Sequence, residues 1–251
     1  MLQNSDDAEA SEVRIIINED TIYVADNGHG LKPLAVGAIC GTDFSDKTTG
    51  TIGRKGVGFK SVYEVSPNPQ VLTVNGEGID FSPARAKDWL NKNNLYDGYI
   101  PYQWIPFFVS WEDVTRKDTR LIEFEAYKTV VRLCDVTPEK KQDVEQLIRE
   151  WPPHALFAFR HVRQIKAPGL EIILAPGDGV WSLRDSRRKT PAKWRVARHV
   201  EHPHADLLEG LGADERRAIS QDGVNFLIAA PLEKACIVPT RDYLPVHVFY
   251  P

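Results

Sequence analysis

Two glycine clusters constrain this chain more than any other feature. Asp26-x-Gly28-x-Gly30 and Gly53-x-x-Gly56-x-Gly58 are separated by a polar stretch rich in Gly and Thr. The first cluster directly follows a β-rich run, TIYVA at 21–25. That run pairs as a hairpin with VRIII at 13–17 across a short polar turn at 18–20. Glycines at the end of a strand let other groups approach the backbone closely. A carboxylate placed there can accept a hydrogen bond from an exocyclic amine such as that of adenine. The second cluster runs into a helix-like segment ending near Tyr63, where successive backbone N–H groups form an anion site suited to phosphates. Neither cluster is a Rossmann or Walker fingerprint. No Lys-Ser/Thr pair closes the second, and neither sits in an evident βαβ unit.

Around these clusters the chain alternates strand and helix signals. Residues 2–8 read as the end of a polar-faced helix, 33–39 as a short helix, and 41–50, without periodicity, as a mobile loop or lid. Strands are expected at 70–74, 78–81, 107–111 and 120–126, with an irregular aromatic-rich insertion at 87–106. Residues 138–148 form a helix with Pro138 early and Val144, Leu147 and Ile148 on one stripe. After the WPP break at 151–153, strands are expected at 171–174, 194–199, 226–230 and 246–250. The shift near Pro152 suggests a first domain over 1–150 and a second region over 151–251.

Composition excludes several classes. The 251 residues are 42% hydrophobic and 26% charged with a net charge of −4, ordinary globular values that give no general pull towards nucleic acid. No apolar run is long enough to span a membrane, and the polar, acidic start is no signal peptide. Cys40, Cys134 and Cys236 are scattered, which argues against a disulfide scaffold or zinc ribbon and for a reducing cytoplasm.

Taken together, the two clusters, the asparagine-bearing helix ahead of them and the loop between resemble the Bergerat-type (GHKL) ATP-binding fold. DNA gyrase, the ninety-kilodalton heat-shock chaperones, histidine kinases and the mismatch-repair ATPases share that fold. LQNSDDA at 2–8 resembles the LxQNADDA helix of the sacsin-like branch, relatives of the heat-shock chaperones. TIGRKGVGFKSVY at 51–63 is similar to that branch's TIGxxGxGFxSVY. The resemblance is sharp over residues 1–75 and diffuse afterwards. It implies an α+β fold: a Bergerat-type α/β sandwich with helices on one face of a mixed, mostly antiparallel sheet, followed by a second, middle-domain-like α/β region.

The resemblance also implies roles, position by position. Asn4 would ligate Mg²⁺ beside the phosphates of ATP, and Asp7, on the same helix face, would support the pocket. Asp26 would accept from the adenine amino group, with Gly28 and Gly30 letting the loop close on the base. Gly53, Gly56, Val57, Gly58 and Phe59 would line the phosphates. Lys47 in the lid, and less directly Lys55, would add a cation. Thr119 stands where the family has a threonine that holds adenine through water, although Asp118 replaces the usual preceding glycine. The branch's general-base glutamate lies one helical turn before the asparagine, a position immediately ahead of Met1. The expectation is therefore a chain truncated at both ends that binds ATP–Mg²⁺, closes its lid at 31–52 and hydrolyses poorly. Expected partners are a second copy in the ATP-bound state, a client protein, or later domains of a longer chain. The alternative use is a nucleotide-sensing module of a bacterial defence or DNA-transaction protein.

Other features read as ordinary. His199, His202 and His204 suit a solvated loop better than a metal cluster, and Arg184, Arg187, Arg188 and Lys189 a solvated turn better than a nucleic-acid contact. The six tryptophans suit packing, and His29 an outward position.

Overall fold

The structure, a computed structural model, describes residues 1–31, 33–40, 59–210, 212–233, 236–237 and 248–250. Strands β1 (Glu12–Ile17) and β2 (Ile22–Asp26) form the expected antiparallel hairpin, with Val13 opposite Asp26 and Ile17 opposite Ile22. Their β-branched residues suit a pleated, packed surface. Every residue of β2 is buried, so this strand must be covered on both faces.

The remaining strands of the first half are β3 (Asn68–Thr73), β4 (Glu77–Asp80), β5 (Phe107–Ser110) and β6 (Thr129–Cys134). The second half adds β7 (Gln164–Ala167), β8 (Leu170–Ala175), β9 (Val180–Asp185), β10 (Ala192–Glu201), β11 (Val224–Glu233), β12 (Cys236–Ile237) and β13 (Val248–Tyr250). One mixed sheet runs β12-β11-β10-β9-β8-β7-β1-β2-β6-β3-β4-β5, with β13 on β11. The β1–β7 pairing is parallel, Val13 opposite Ile165, and the other described pairings are antiparallel. The sheet therefore continues without a break across the boundary expected near residue 150.

Helices α1 (Leu2–Asp7), α2 (Pro33–Cys40), α3 (Pro83–Lys92), α4 (Trp111–Lys117), α5 (Pro138–Glu150) and α6 (Ala213–Asp222) complete an α+β fold. On one face Ile22 and Val24 join Val71, Val131 and Leu133, under Ile148 of α5 and under Leu156 and Phe157 of the 3-10 segment Pro153–Ala158. That core continues through Ile165, Ile172, Trp181 and Trp194, so both halves share it. On the other face Tyr23 and Ala25 pack with Leu72, Trp111, Val114, Leu121 and Phe124. Helix α4 and a 3-10 helix, Thr119–Phe124, thus cover β2 from the side opposite the expected helical layer.

Two local expectations are corrected here. Residues 120–126 are not a strand: Leu121 and Phe124, three apart, are buried and Ile122 is exposed, the spacing of a 3-10 turn. Trp111 does not end β5 but opens α4, which Ser110 caps by accepting from the Asp113 N–H, with Glu112 and Asp113 in the first turn. Among the described residues no helix is long and apolar enough to cross a membrane.

Candidate functional site

At one end of the sheet three neighbouring strands present polar residues in a row. The register sets Asp26 of β2 opposite Thr129 of β6, and Thr129 opposite Thr73 of β3. Two residues further in, Val24, Val131 and Val71 form the next row on this face and enter the core. A polar row therefore caps an apolar one.

Asp26 stands at one end of the row, beside Thr129, and is only 8% exposed. The Ser5 hydroxyl donates to Oδ2 at 3.1 Å and the Gly28 N–H to Oδ1 at 3.0 Å, while the Thr129 hydroxyl also bonds the carboxylate. Burial raises the Asp26 carboxyl above the usual carboxylate range, and these hydrogen bonds with nearby His29 offset only part of that. A desolvated carboxylate kept at a strand end is costly to the fold, and such groups concentrate at functional sites.

Helix α1 closes the row. The Ala8 carbonyl accepts from the His29 N–H at 3.0 Å, which ties the helix end to the 26–30 loop. A Cβ at Gly28 would lie 2.5 Å from the Ala8 oxygen, so only glycine permits this approach. Gly30 has φ of +83°, and a Cβ there would sit 3.8 Å from Cγ2 of Thr73. Asn4 and Asp7 are half-buried on α1, beside fully buried Ser5 and Asp6. Asp6 turns away from Asp26. Its Oδ1 accepts from the His161 and Val162 N–H groups at 2.7 and 2.9 Å, and its Oδ2 from Arg160 N–H at 3.0 Å. Bonds to a charged acceptor contribute roughly 1.5–3 kcal/mol each, so this attachment is among the firmest holding α1.

Phe59 is buried and packs its ring against Tyr63 and Phe81, anchoring the start of a 3-10 helix, Phe59–Glu64. Next to it, Lys60 Nζ donates to the Cys40 carbonyl at 3.3 Å and lies 5.2 Å from the Trp104 ring centroid. Lys47, Gly53, Lys55, Gly56, Val57, Gly58 and most of the expected lid lie outside the described residues. Asn4, Asp7, Asp26, Gly28 and Gly30 are brought to one end of the sheet.

Thr119 is placed elsewhere. It opens the 3-10 helix on the opposite face and lines a cavity of about 650 Å³ with Asn75, Ser110, Trp111 and Thr115. The threonine bonded to Asp26 is Thr129. Ser5, Asp6, Thr73 and Thr129 were not foreseen as site residues. The β2–β6–β3 register would have exposed Thr73 and Thr129.

Other residues singled out in the sequence take these places. Arg187 pairs with Asp185 at 2.9 Å and donates to the carbonyls of Arg149 and Trp151, closing the end of α5. His199 and His204 pair with Glu201 and Asp206, and the described residues include no group of three or more His, Cys, Asp or Glu suited to a metal ion. His29 is exposed. Trp111, Trp181 and Trp194 are buried, whereas Trp89 and Trp104 are exposed.

No family model matches the chain. Over 78 residues it is 36% identical to Protein NO VEIN of Arabidopsis thaliana. The match takes in 28% of this chain and 3% of the plant protein, so the chain spans a very small part of that relative's length.

Proposed function

We propose that this chain is a Bergerat-type, sacsin-like nucleotide-binding domain that takes ATP with Mg²⁺ and converts its binding into conformational change. The observation that carries the reading is the buried Asp26 carboxylate, held by Ser5, Gly28 and Thr129 at the end of a polar row. A carboxylate has more acceptor capacity than these donors use, so it can also accept a hydrogen bond from an exocyclic amine. Guanine presents a carbonyl where adenine presents an amine, and two acceptors facing each other repel. The site therefore selects adenine.

The residues present fit the metal only in company with the nucleotide. With no self-sufficient ligand cluster among the described residues, Asn4 would supply one neutral oxygen and the nucleotide's phosphates and water the rest. When bound, Mg²⁺ would supply neutralisation of phosphate charge. Asn4 would orient the ion and Asp26 the base, and the glycine-rich 53–59 segment, most of which lies outside the described residues, is the proposed phosphate site. The three scattered cysteines, of which Cys40 and Cys134 are free thiols, suit the cytoplasm. A partner copy, a client or later domains of a longer chain would receive the conformational change.

Calorimetric titration of ATP and GTP, each with Mg²⁺, tests the reading. ATP should bind at least about tenfold more tightly than GTP, and Asp26→Asn should weaken ATP by roughly 100-fold, the loss of a charge-assisted bond in a dry site. Equal affinity for the two nucleotides, or an Asp26→Asn variant indistinguishable from the parent, would rule it out.

A further inference from the structure

Helix α1 carries two adjacent buried side chains that grip different parts of the molecule. Ser5 bonds Asp26, while Asp6 accepts the backbone N–H groups of Arg160, His161 and Val162. Successive helical residues point about 100° apart, so one short rigid element reaches both targets at once. Six residues without a side-chain cap cannot hold a helix by themselves. The pose of α1 is therefore set by these attachments and by its contact with the 26–30 loop.

The 159–163 turn is equally well tied. While Asp6 takes its N–H groups, the Arg163 guanidinium donates to the carbonyls of Phe159, Arg160 and Val162. Asp6 thus satisfies donors of the turn and Arg163 its acceptors. The turn leads directly into β7, which pairs with β1. The same guanidinium lies 5.7 Å from the Trp181 ring centroid on β9, and Arg198 of β10 lies 5.3 Å from that ring. A continuous set of contacts runs from Asp26 through Ser5, α1, Asp6 and Arg163 to the second half of the sheet.

We infer that Asp6 is a positioning residue that couples occupancy of the Asp26 site to the 160–162 turn and the strands beyond it. This inference rests on the nucleotide reading above. Nucleotide engaging Asp26 and Asn4 fixes the pose of α1, and Asp6 passes that restraint to the turn. Coupling of this kind is reciprocal, so loosening the turn must weaken nucleotide binding by the same factor that nucleotide steadies the turn.

Hydrogen exchange at the three amides that Asp6 accepts reads the coupling directly. Mg²⁺ with a non-hydrolysable ATP analogue should slow exchange at residues 160–162 by about tenfold in the parent chain. In Asp6→Asn the analogue should still bind, about tenfold more weakly, and leave exchange at 160–162 unchanged. A purely structural Asp6 would raise exchange there in both states yet keep the nucleotide-dependent difference, and that result overturns the inference. The parent chain alone also decides it. Analogue bound, by calorimetry, with no slowing at 160–162 sinks the coupling and leaves the nucleotide reading intact. No analogue bound at all sinks both.

Discussion

At the scale of single residues, Asp26 sets function against stability. Burial raises its carboxyl above the ordinary carboxylate range, and the bonds from Gly28, Ser5 and Thr129 offset that only in part. A raised carboxyl is most favourable to the fold below its unfolded pKa, and that contribution is lost as pH rises through the folded value. At neutral pH the ionised group therefore works against the fold. Asp26→Asn keeps the shape and removes the charge. Its Tm should exceed the parent's by roughly 2–4 °C at pH 7, the size of a ~1 kcal/mol gain in a domain this large. The gap should narrow as pH falls towards about 4, the ordinary carboxylate range, because protonating the parent carboxyl removes its desolvation cost. Scanning calorimetry from pH 4 to 7.5 reads both trends. A variant less stable at neutral pH would show that the donors outweigh desolvation.

Among the elements, α1 and the 26–30 loop make a close join. Gly28→Ala would force a Cβ to 2.5 Å from the Ala8 oxygen, and backbone rather than a pliable side chain must yield. Overpacking of this kind costs about 1–3 kcal/mol. The variant should melt several degrees lower and bind nucleotide more weakly, because the shifted helix carries Asn4 and Ser5 with it. A Gly28→Ala variant matching the parent in melting and titration would refute the close approach. Elements differ in how plainly they can be read beforehand. β1 and β2 are legible because Val, Ile and Tyr alternate between polar turns, and α5 because Thr137 and Pro138 announce its start. Residues 120–126 mislead because a short alternation fits both a strand and a 3-10 turn, and the covering of a strand buried on both faces chose the turn. The Ser82-Pro83 start of α3 is a cap signal of the same kind, masked by the aromatic residues that follow. Asp26 and its glycines are legible as a motif. Thr129 and Asp6 are not, because their partners come from strand register and from a turn far along the chain.

For the whole molecule, the seam between β1 and β7 joins the halves. Glu12 lies on it, bonded by the Tyr127 hydroxyl and, at 3.0 Å, by Lys166 Nζ. Burial alone would raise the Glu12 carboxyl, but Tyr127, Lys166 and Arg14 together hold it below its ordinary value. A lowered carboxyl stabilises above its unfolded pKa and loses that contribution as pH falls through the folded value. The parent should therefore lose about 1 kcal/mol of seam stability on acidification below roughly pH 4.5, and Glu12→Gln should show a flatter acid profile. Urea unfolding of the two proteins at pH 7 and pH 4 provides the comparison, with parallel profiles as the contrary result. The seam also has a history in time. β1 is made well before β7, yet it lies inside the sheet between β2 and β7. On the ribosome, its VRIII run waits with one edge unpaired until residues 164–167 emerge, on the order of ten seconds later. An apolar strand with an open edge for that long is an invitation to any other nascent strand nearby. The newborn chain is thus vulnerable at a strand that will end up paired along both edges.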